Sequence, residues 1–332
     1  MALTKVSNSM LVQPVNHNIL INPSFTVNQR GDVIVAGNST DFPFVSDRWT
    51  HRPANSVGSG YQVEPVTING QGNGLNIIYG SPTSGAVFLQ QDVEAINVYP
   101  LYAKQVTVSF NINNNSGIDP LANTAIDVNI WKKDQSAITC TPVGDVVNIG
   151  GTRYSQTFEV GTMSDANIPD PSERGMRLRI HPTLNGGLRE WKLWNVKLEV
   201  GSVATPFIAR QYGEELLLCQ RYFERRGTGK VNWEFLAEAG QLTTPTAYQC
   251  ATRFIVQMRV PPTWSVTGTV SDIQLVRGGA TVDLISIVGT DNANGRTILL
   301  SGTCAATGGS AGEQVRIQTK VIGTWLNFDA EL

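Results

Sequence analysis

The sequence has few charged residues and no long apolar run. Asp, Glu, Lys and Arg make up 16% of its 332 residues, and the net charge is -2. No basic run is longer than the two residues Arg225-Arg226, so the composition excludes a protein that binds nucleic acid through a basic surface. No stretch approaches the roughly 20 apolar residues that cross a membrane, and we expect no membrane insertion.

Cysteine and histidine are also scarce, and their spacing excludes several kinds of site. The four cysteines lie far apart without a C-x-x-C pair, and none lies near a histidine, which excludes a zinc site. No serine or cysteine has the sequence context of a catalytic nucleophile, the acidic residues are scattered, and the glycine-rich strings lack the lysine of a phosphate loop. We therefore predict that the chain is not an enzyme. We expect free thiols, because residues 1–18 lack the apolar core of a signal peptide and folding in a cytoplasm follows.

Glycine, by contrast, is abundant, with 32 copies that separate short alternating segments. Lys104–Ile112, KQVTVSFNI, is the clearest strand, because Val106, Val108 and Phe110 share one face. Such segments recur from Asn18–Asn22, the first expected strand, to about Gly201 without an amphipathic helix between them, which predicts an antiparallel β-sandwich. Residues 230–332 are again strand-rich, with a hairpin turn expected at Gly278-Gly279, and they predict a second, smaller β-domain.

One segment between these domains differs from the rest of the chain. Leu198–Arg226 begins as the end of a strand, continues through Thr205-Pro206-Phe207, and then predicts a helix from Gly213 to Arg225. The helix has apolar residues around most of its circumference, so one flank of one sandwich cannot bury it. We expect these residues to form an oligomer interface: Leu216, Leu217, Leu218, Tyr222 and Phe223.

The same segment resembles a junction in tail-fibre and other receptor-binding proteins of tailed bacteriophages. The matching features are L-E-x-G at Leu198–Gly201, the T-P-F connector, and L-x-L-C-Q-R-Y-F at Leu216–Phe223. The first residues MALTKVSNSM, the segment Asn18–Phe25 and the final Asp329–Leu332 are similar to other parts of such proteins. The resemblance implies an all-β protein with a jelly-roll-like module related to carbohydrate-binding modules, a short helical neck and a smaller β-sandwich tip.

This resemblance implies an organisation and a role. It places an anchoring arm at 1–18, the jelly roll at 19–205, the connector and neck helix at 206–229 and the tip at 230–332. The protein is then a non-enzymatic homotrimer of the virion tail, assembled in the host cytoplasm, that binds another tail or baseplate protein through its arm and a host-surface polysaccharide. Two alternatives for the role stay open, namely a virion structural or decoration protein that binds no receptor, and a glycan-degrading tail adhesin. The tip is the expected glycan-binding domain, with the jelly roll as the alternative.

Candidate glycan-binding residues follow from the chemistry of sugar recognition, because aromatic faces stack on sugar rings while amides and charged groups bind hydroxyls. Trp233 and Trp264 lie beside predicted turns of the tip, although any single tryptophan can instead belong to a core. The loop Asp291, Asn292, Asn294 and Arg296 offers polar groups, with a solvated hairpin end as the alternative. No cofactor is expected. Calcium stays an open alternative, with Asn22, Asp32 and Glu199 as candidate ligands.

Overall fold

The computed structural model is mostly β-structure. It describes residues 17–31, 35–36, 43–53, 61–70, 72–79, 87–113, 124–182, 190–291, 295–306 and 308–332. The predicted anchoring arm therefore lies almost wholly outside the described residues. The chain forms two compact units, and the change from the first to the second falls between Arg210 and Gln211. Unit 2 also takes in two short segments from the N-terminal part of the chain, Val27–Asp32 and Ser46–Arg48.

Unit 1 is a sandwich of two antiparallel sheets. The seven-stranded sheet has the order β1-β4-β5-β13-β7-β11-β10, with β1 Val35–Ala36, β4 Tyr61–Ile68, β5 Gly72–Tyr79, β7 Gln105–Asn113, β10 Thr141–Gly150, β11 Arg153–Glu159 and β13 Glu190–Val200. The six-stranded sheet has the order β2-β3-β6-β12-β8-β9, with β2 Phe44–Ser46, β3 Trp49–Pro53, β6 Val87–Glu94, β8 Thr124–Trp131, β9 Ala137–Thr139 and β12 Arg174–Pro182. A four-residue helix, α1 (Ala95–Val98), follows β6.

From β6 to β13 the chain crosses repeatedly from one sheet to the other, as in a jelly roll. The inward faces of both sheets form one core, in which Val106, Val108 and Phe110 of β7 are fully buried. The predicted all-β fold with a jelly-roll-like sandwich is confirmed. The segment Asn18–Asn22, expected to be a strand, has no strand conformation, because Asn22 has a positive φ of 53° that breaks an extended chain.

Unit 2 contains the second, smaller antiparallel β-structure. A three-stranded sheet has the order β14-β23-β17, with β14 Phe223–Arg226, β17 Thr263–Thr267 and β23 Trp325–Asp329. A seven-stranded sheet has the order β19-β18-β22-β15-β16-β21-β20, with β15 Phe235–Thr244, β16 Ala247–Arg253, β18 Ile273–Arg277, β19 Ala280–Asp283, β20 Val288–Asp291, β21 Thr297–Thr303 and β22 Gln314–Thr319. Gly278 and Gly279 both have positive φ and form the β18–β19 turn, as predicted.

The helix of the junction segment is shorter than the sequence predicts. It is α2, Tyr212–Gln220, and the chain then enters β14, which pairs with β23 from Phe223↔Asp329 to Arg226↔Leu326. The prediction of a helix to Arg225 is wrong, because the distant C-terminal segment offers Phe223–Arg226 a strand ladder that local helix propensity cannot indicate. Phe223 is therefore a strand residue rather than part of the helix circumference.

The junction and the C-terminal residues pack together inside unit 2. The backbone N–H of Ala330 donates to the carbonyl of Tyr222 (2.8 Å), and Arg259 donates to the carbonyls of Ala330 and Glu331 (2.7 and 2.6 Å). The Arg48 guanidinium lies 3.5 Å from the Tyr222 ring centroid and binds the Glu331 carboxylate. The junction and the C-terminal residues, which both resemble phage proteins, therefore contact each other. Packing inside unit 2 accounts for these side chains, and binding of a receptor is not needed to explain them.

All four cysteines are buried and free, which agrees with the expected thiols. Burial raises the pKa of the Cys140 thiol to about 11 and that of Cys250 to about 12, so neither forms a thiolate readily near neutral pH. Within the part of the chain that the structure describes, no helix has the length and apolarity to cross a membrane.

Candidate functional site

Trp233 is the predicted site residue that the structure exposes most clearly. Its side chain is 64% exposed and its φ is +65°, at the end of a loop that precedes β15. The Glu234 carboxylate closes this loop by accepting hydrogen bonds from Thr228 N (2.7 Å), Thr228 Oγ1 (2.5 Å) and Gly229 N (3.1 Å). Trp233 N donates to Thr319 O at 2.9 Å. The indole therefore projects from a backbone that several hydrogen bonds hold in place.

An apolar surface surrounds this tryptophan. The loop after β22 lies beside the Trp233 loop, because Gly323 N donates to Gly229 O at 2.9 Å. Together the two loops and the start of β15 expose five large apolar side chains, which we call the tryptophan patch: Val231, Trp233, Phe235, Val321 and Ile322. Exposed apolar side chains grouped on neighbouring loops in this way are typical of a surface that binds a partner or ligand.

A groove of about 580 Å³ lies on the seven-stranded sheet of unit 2. Arg316 lines the groove, and its guanidinium lies 5.4 Å from the Phe235 ring centroid, so this side chain belongs to both surfaces. The other lining residues are Ala239, Gly240, Val276, Gly278, Gly279, Glu313, Gln314 and Val315. An aromatic platform beside a groove with a guanidinium, a carboxylate and an amide can hold a sugar ring and its hydroxyls.

Trp264 does not share this exposed position. It lies within β17 rather than beside a turn, is only partly exposed, and packs against the core of unit 2. A Cβ added at Gly289 would lie 2.7 Å from the Trp264 ring, so the indole rests directly on the β20 backbone. This packing favours a structural role for Trp264 and corrects its expected position next to a turn.

The structure describes only part of the polar loop that the sequence singles out. Asp291 ends β20, Arg296 is exposed just before β21, and Asn292 and Asn294 lie outside the described residues. The register of β15, β16 and β21 places Arg296 at the same end of the seven-stranded sheet as Trp233. The role of this loop in glycan binding stays a prediction.

The predicted interface residues divide into two groups. Tyr222 and Phe223 are buried within unit 2, where the guanidinium of Arg48 covers Tyr222 and that of Arg30 lies 3.7 Å from the Phe223 ring centroid. Leu217 is 46% exposed, and Leu216 and Leu218 are partly exposed. α2 instead buries Glu215, Cys219 and Gln220. Only the leucines of the predicted interface are therefore accessible to a second chain.

Two of the three candidate calcium ligands lie within the described residues, and each has protein partners. Glu199 is fully buried, and its carboxylate accepts from Thr205 N (2.8 Å) and Thr205 Oγ1 (2.5 Å) while the Lys197 ammonium lies 3.1 Å from Oε2. The Asn22 carbonyl accepts from Trp49 Nε1 (2.9 Å), and Asp32 lies outside the described residues. A lysine thus already supplies the positive charge that Glu199 requires.

Sequence reasoning missed a polar surface on the outer face of the six-stranded sheet of unit 1. We call it the arginine row: Arg52 of β3 with Arg174, Arg177 and Arg179 of β12. Arg177 pairs in register with Asp92 on one side and Asn129 on the other, and Arg179 with Gln90 and Asp127. The signal was visible, because Arg177, Arg179 and His181 alternate with the core residues Met176, Leu178 and Ile180.

Burial and neighbouring charges both affect the pKa values of side chains in and beside the arginine row. Arg174 and Arg177 hold the Asp92 carboxylate at 2.7 to 2.9 Å, and both guanidinium groups lie near the Trp131 ring, at 5.0 and 4.9 Å from its centroid. Desolvation, followed by the neighbouring charges of Arg177 and Arg52, lowers the pKa of Arg179. A hydrogen bond from His181, 3.5 Å away, lowers the pKa of Asp127.

Comparison with known proteins gives a fold likeness only. No family model matches the chain, and no curated protein matches it. Solved structures that resemble it include an apo-form cyclase from Fischerella sp. (15% identity, TM-score 0.35, 58% of this chain and 100% of the cyclase). They also include the CBM22-1 xylan-binding domain of Paenibacillus barcinonensis Xyn10C (11%, TM-score 0.32, 57% and 98%) and the CBM22-1–GH10 modules of a Clostridium thermocellum xylanase (13%, TM-score 0.32, 56% and 29%). These TM-scores are too low to indicate a function.

Proposed function

We propose that the chain is a receptor-binding protein of a phage tail that attaches the virion to a host-surface glycan through unit 2, without cleaving it. The observation that carries the proposal is the exposed Trp233 on its hydrogen-bonded loop, in a patch whose Phe235 contacts Arg316 of the groove. The phage origin rests on the sequence resemblance of the junction and of the C-terminal residues.

Two sets of side chains in this site can bind different parts of a sugar. Trp233 and Phe235 offer exposed aromatic faces for sugar rings, and neither is needed to fill the core. Arg316, Glu313 and Gln314 line the groove and can donate to or accept from sugar hydroxyls. A sugar chain that extends from the patch into the groove would contact both sets of groups.

Trp233→Ala is expected to weaken binding of the full-length protein to host cells and to purified host-surface polysaccharide by about tenfold or more, because a stacked ring contributes about 1 to 2 kcal/mol and truncation of a central aromatic often costs more. Equilibrium adsorption of labelled protein measures the change. Ile285→Ala removes another exposed apolar side chain of unit 2 and serves as the matched control. Equal binding by Trp233→Ala and the wild type would refute this site.

We also propose that the protein works as a homotrimer and that the exposed face of α2 contacts a second copy. The support is the unusual burial pattern of α2. The helix buries the polar residues Glu215 and Gln220, while Tyr212 is 60% and Leu217 46% exposed. Single glycan contacts are weak, and repetition supplies avidity. Light scattering at micromolar concentration should give three times the chain mass, and Leu217→Glu should lower the measured mass toward that of a single chain. A wild-type monomer would overturn the assembly.

A further inference from the structure

The arginine row concentrates positive charge in a protein whose overall charge is slightly negative. Four arginines share the outer face of the sheet, together with the carboxylates Asp92 and Asp127. Asp92 is shared by Arg174 and Arg177. Guanidinium groups this close repel one another, and partial burial strengthens the repulsion because solvent screens it less.

Arg179 donates a single side-chain hydrogen bond within the described part of the chain. Its Nε donates to Gln90 Oε1 at 3.1 Å, and its guanidinium lies 5.3 Å from the Phe88 ring centroid. In the part of the chain that the structure describes, no carboxylate lies within ion-pair distance of it, and neither terminal amino group has a hydrogen-bond partner. A planar guanidinium in this state presents two parallel donors that match the two oxygens of a carboxylate, phosphate or sulfate.

We propose that the arginine row is a second binding site, specific for an acidic polysaccharide, in which the fork of Arg179 binds an oxyanion group of the sugar. Phe88 flanks this position, and the polar side chains in register with the row, Gln90, Asn129 and Asp127, can serve neighbouring hydroxyls. The charge that the ligand brings relieves the repulsion between Arg52, Arg177 and Arg179. The proposal goes beyond the glycan site of unit 2 and does not depend on it, because its residues all belong to unit 1.

A saccharide fits this face better than a nucleic acid does. Asp92 and Asp127 lie between and beside the arginines, where they would repel the closely spaced phosphates of a nucleic acid. Trp131, the aromatic side chain nearest to Arg174 and Arg177, is buried and offers no face on which a base could stack. A polysaccharide with one acidic group per sugar residue carries its charges farther apart, and its hydroxyl groups can donate hydrogen bonds to Asp92 and Asp127.

Calorimetric titration of the full-length protein tests the site with three saccharide probes and one nucleic acid. Short oligogalacturonates carry carboxylates, dextran sulfate carries sulfates, unmodified dextran carries no charge, and duplex DNA carries phosphates. We expect binding of oligogalacturonate or dextran sulfate, no binding of dextran, and a loss of affinity of about tenfold or more in Arg179→Gln, because one charge-assisted hydrogen-bonding group is removed. Which charged saccharide binds identifies the oxyanion.

Three further variants make the result decisive. Arg253→Gln removes an equal charge from an exposed position of unit 2 and should change nothing. Trp233→Ala should also leave the oligogalacturonate and dextran sulfate affinities unchanged, which separates this site from the proposed glycan site. If thermal unfolding shows that Arg179→Gln does not fold, the exposed Arg52→Gln replaces it, with a loss of about threefold or more expected. No binding of either charged saccharide, equal losses in Arg179→Gln and Arg253→Gln, or preference for DNA would overturn the proposal.

Discussion

Replacing Arg48 with alanine will lower the free energy of unfolding of unit 2 by about 3 kcal/mol, because the largely buried Glu331 carboxylate loses its closer guanidinium partner and the Tyr222 ring loses its cover, while Arg30 still lies 3.4 Å from Glu331. The Arg48 residue is 3% exposed, covers the Tyr222 ring at 3.5 Å and binds Glu331, whose side chain is 9% exposed. The φ of Arg48 is +71°, and alanine carries the same backbone strain, so the change isolates the side chain. Hydrogen exchange of the β14 and β23 amides measures the loss.

Arg253→Ala is the matched control for this experiment, because Arg253 is an exposed arginine of the same unit. Its free energy of unfolding should stay within about 0.5 kcal/mol of the wild type. A similarly small effect of Arg48→Ala would show that the Arg48 contacts do not hold the C-terminal residues in place. Because Arg30 and Arg48 belong to unit 2, a fragment that begins at residue 206 lacks them, and binding experiments need the full chain.

The second large effect is expected at Lys197 in unit 1. Lys197 and Glu199 are both buried, and the ammonium lies 3.1 Å from Glu199 Oε2 and 3.2 Å from Pro206 O. Lys197→Met removes the ammonium that contacts the buried Glu199 carboxylate and leaves only the more distant charge of Arg153, and we expect unit 1 to lose about 3 kcal/mol of unfolding free energy. Hydrogen exchange of the β13 amides follows this loss.

The double variant Lys197→Met with Glu199→Gln tests whether the charge of Glu199 causes the loss of stability in Lys197→Met. The glutamine oxygen can still accept from Thr205 N, and no net charge stays buried, so most of the lost stability should return. If the double variant is as unstable as Lys197→Met, packing of the lysine stem matters more than its charge. If a calcium chelator destabilises the wild type as strongly, Glu199 holds a metal ion and the lysine account is wrong.

The sequence predicted the fold class because its signals were local. Alternation in Lys104–Ile112 and the turn at Gly278-Gly279 depend only on neighbouring residues, and both are present in the structure. The end of α2 could not be predicted in this way, because β14 exists only through its pairing with β23, about a hundred residues later. The partners of Tyr222 and Phe223 are similarly distant, and neither Arg48 nor Arg30 carries a local signal.

The candidate sites also divide into features that local sequence indicates and features that depend on distant strands. Trp233 was found because an indole next to a turn is often exposed, whereas Trp264, chosen for the same reason, lies in a strand that only the ladder with β23 defines. The alternation of Arg177, Arg179 and His181 was readable, but their position beside Asp92 and Asp127 depends on the register of three strands. A polar face built across strands cannot be derived from one segment.

The central claim is that unit 2 binds a host-surface glycan through Trp233 without cleaving it. Incubation of the full-length protein with purified host polysaccharide tests it, if bound protein and polysaccharide chain length are measured in the same sample. We predict retention of the wild-type protein, loss of retention in Trp233→Ala, and an unchanged chain length. Shortened chains would instead indicate a glycan-degrading adhesin, and no retention of the wild-type protein would indicate a structural or decoration protein.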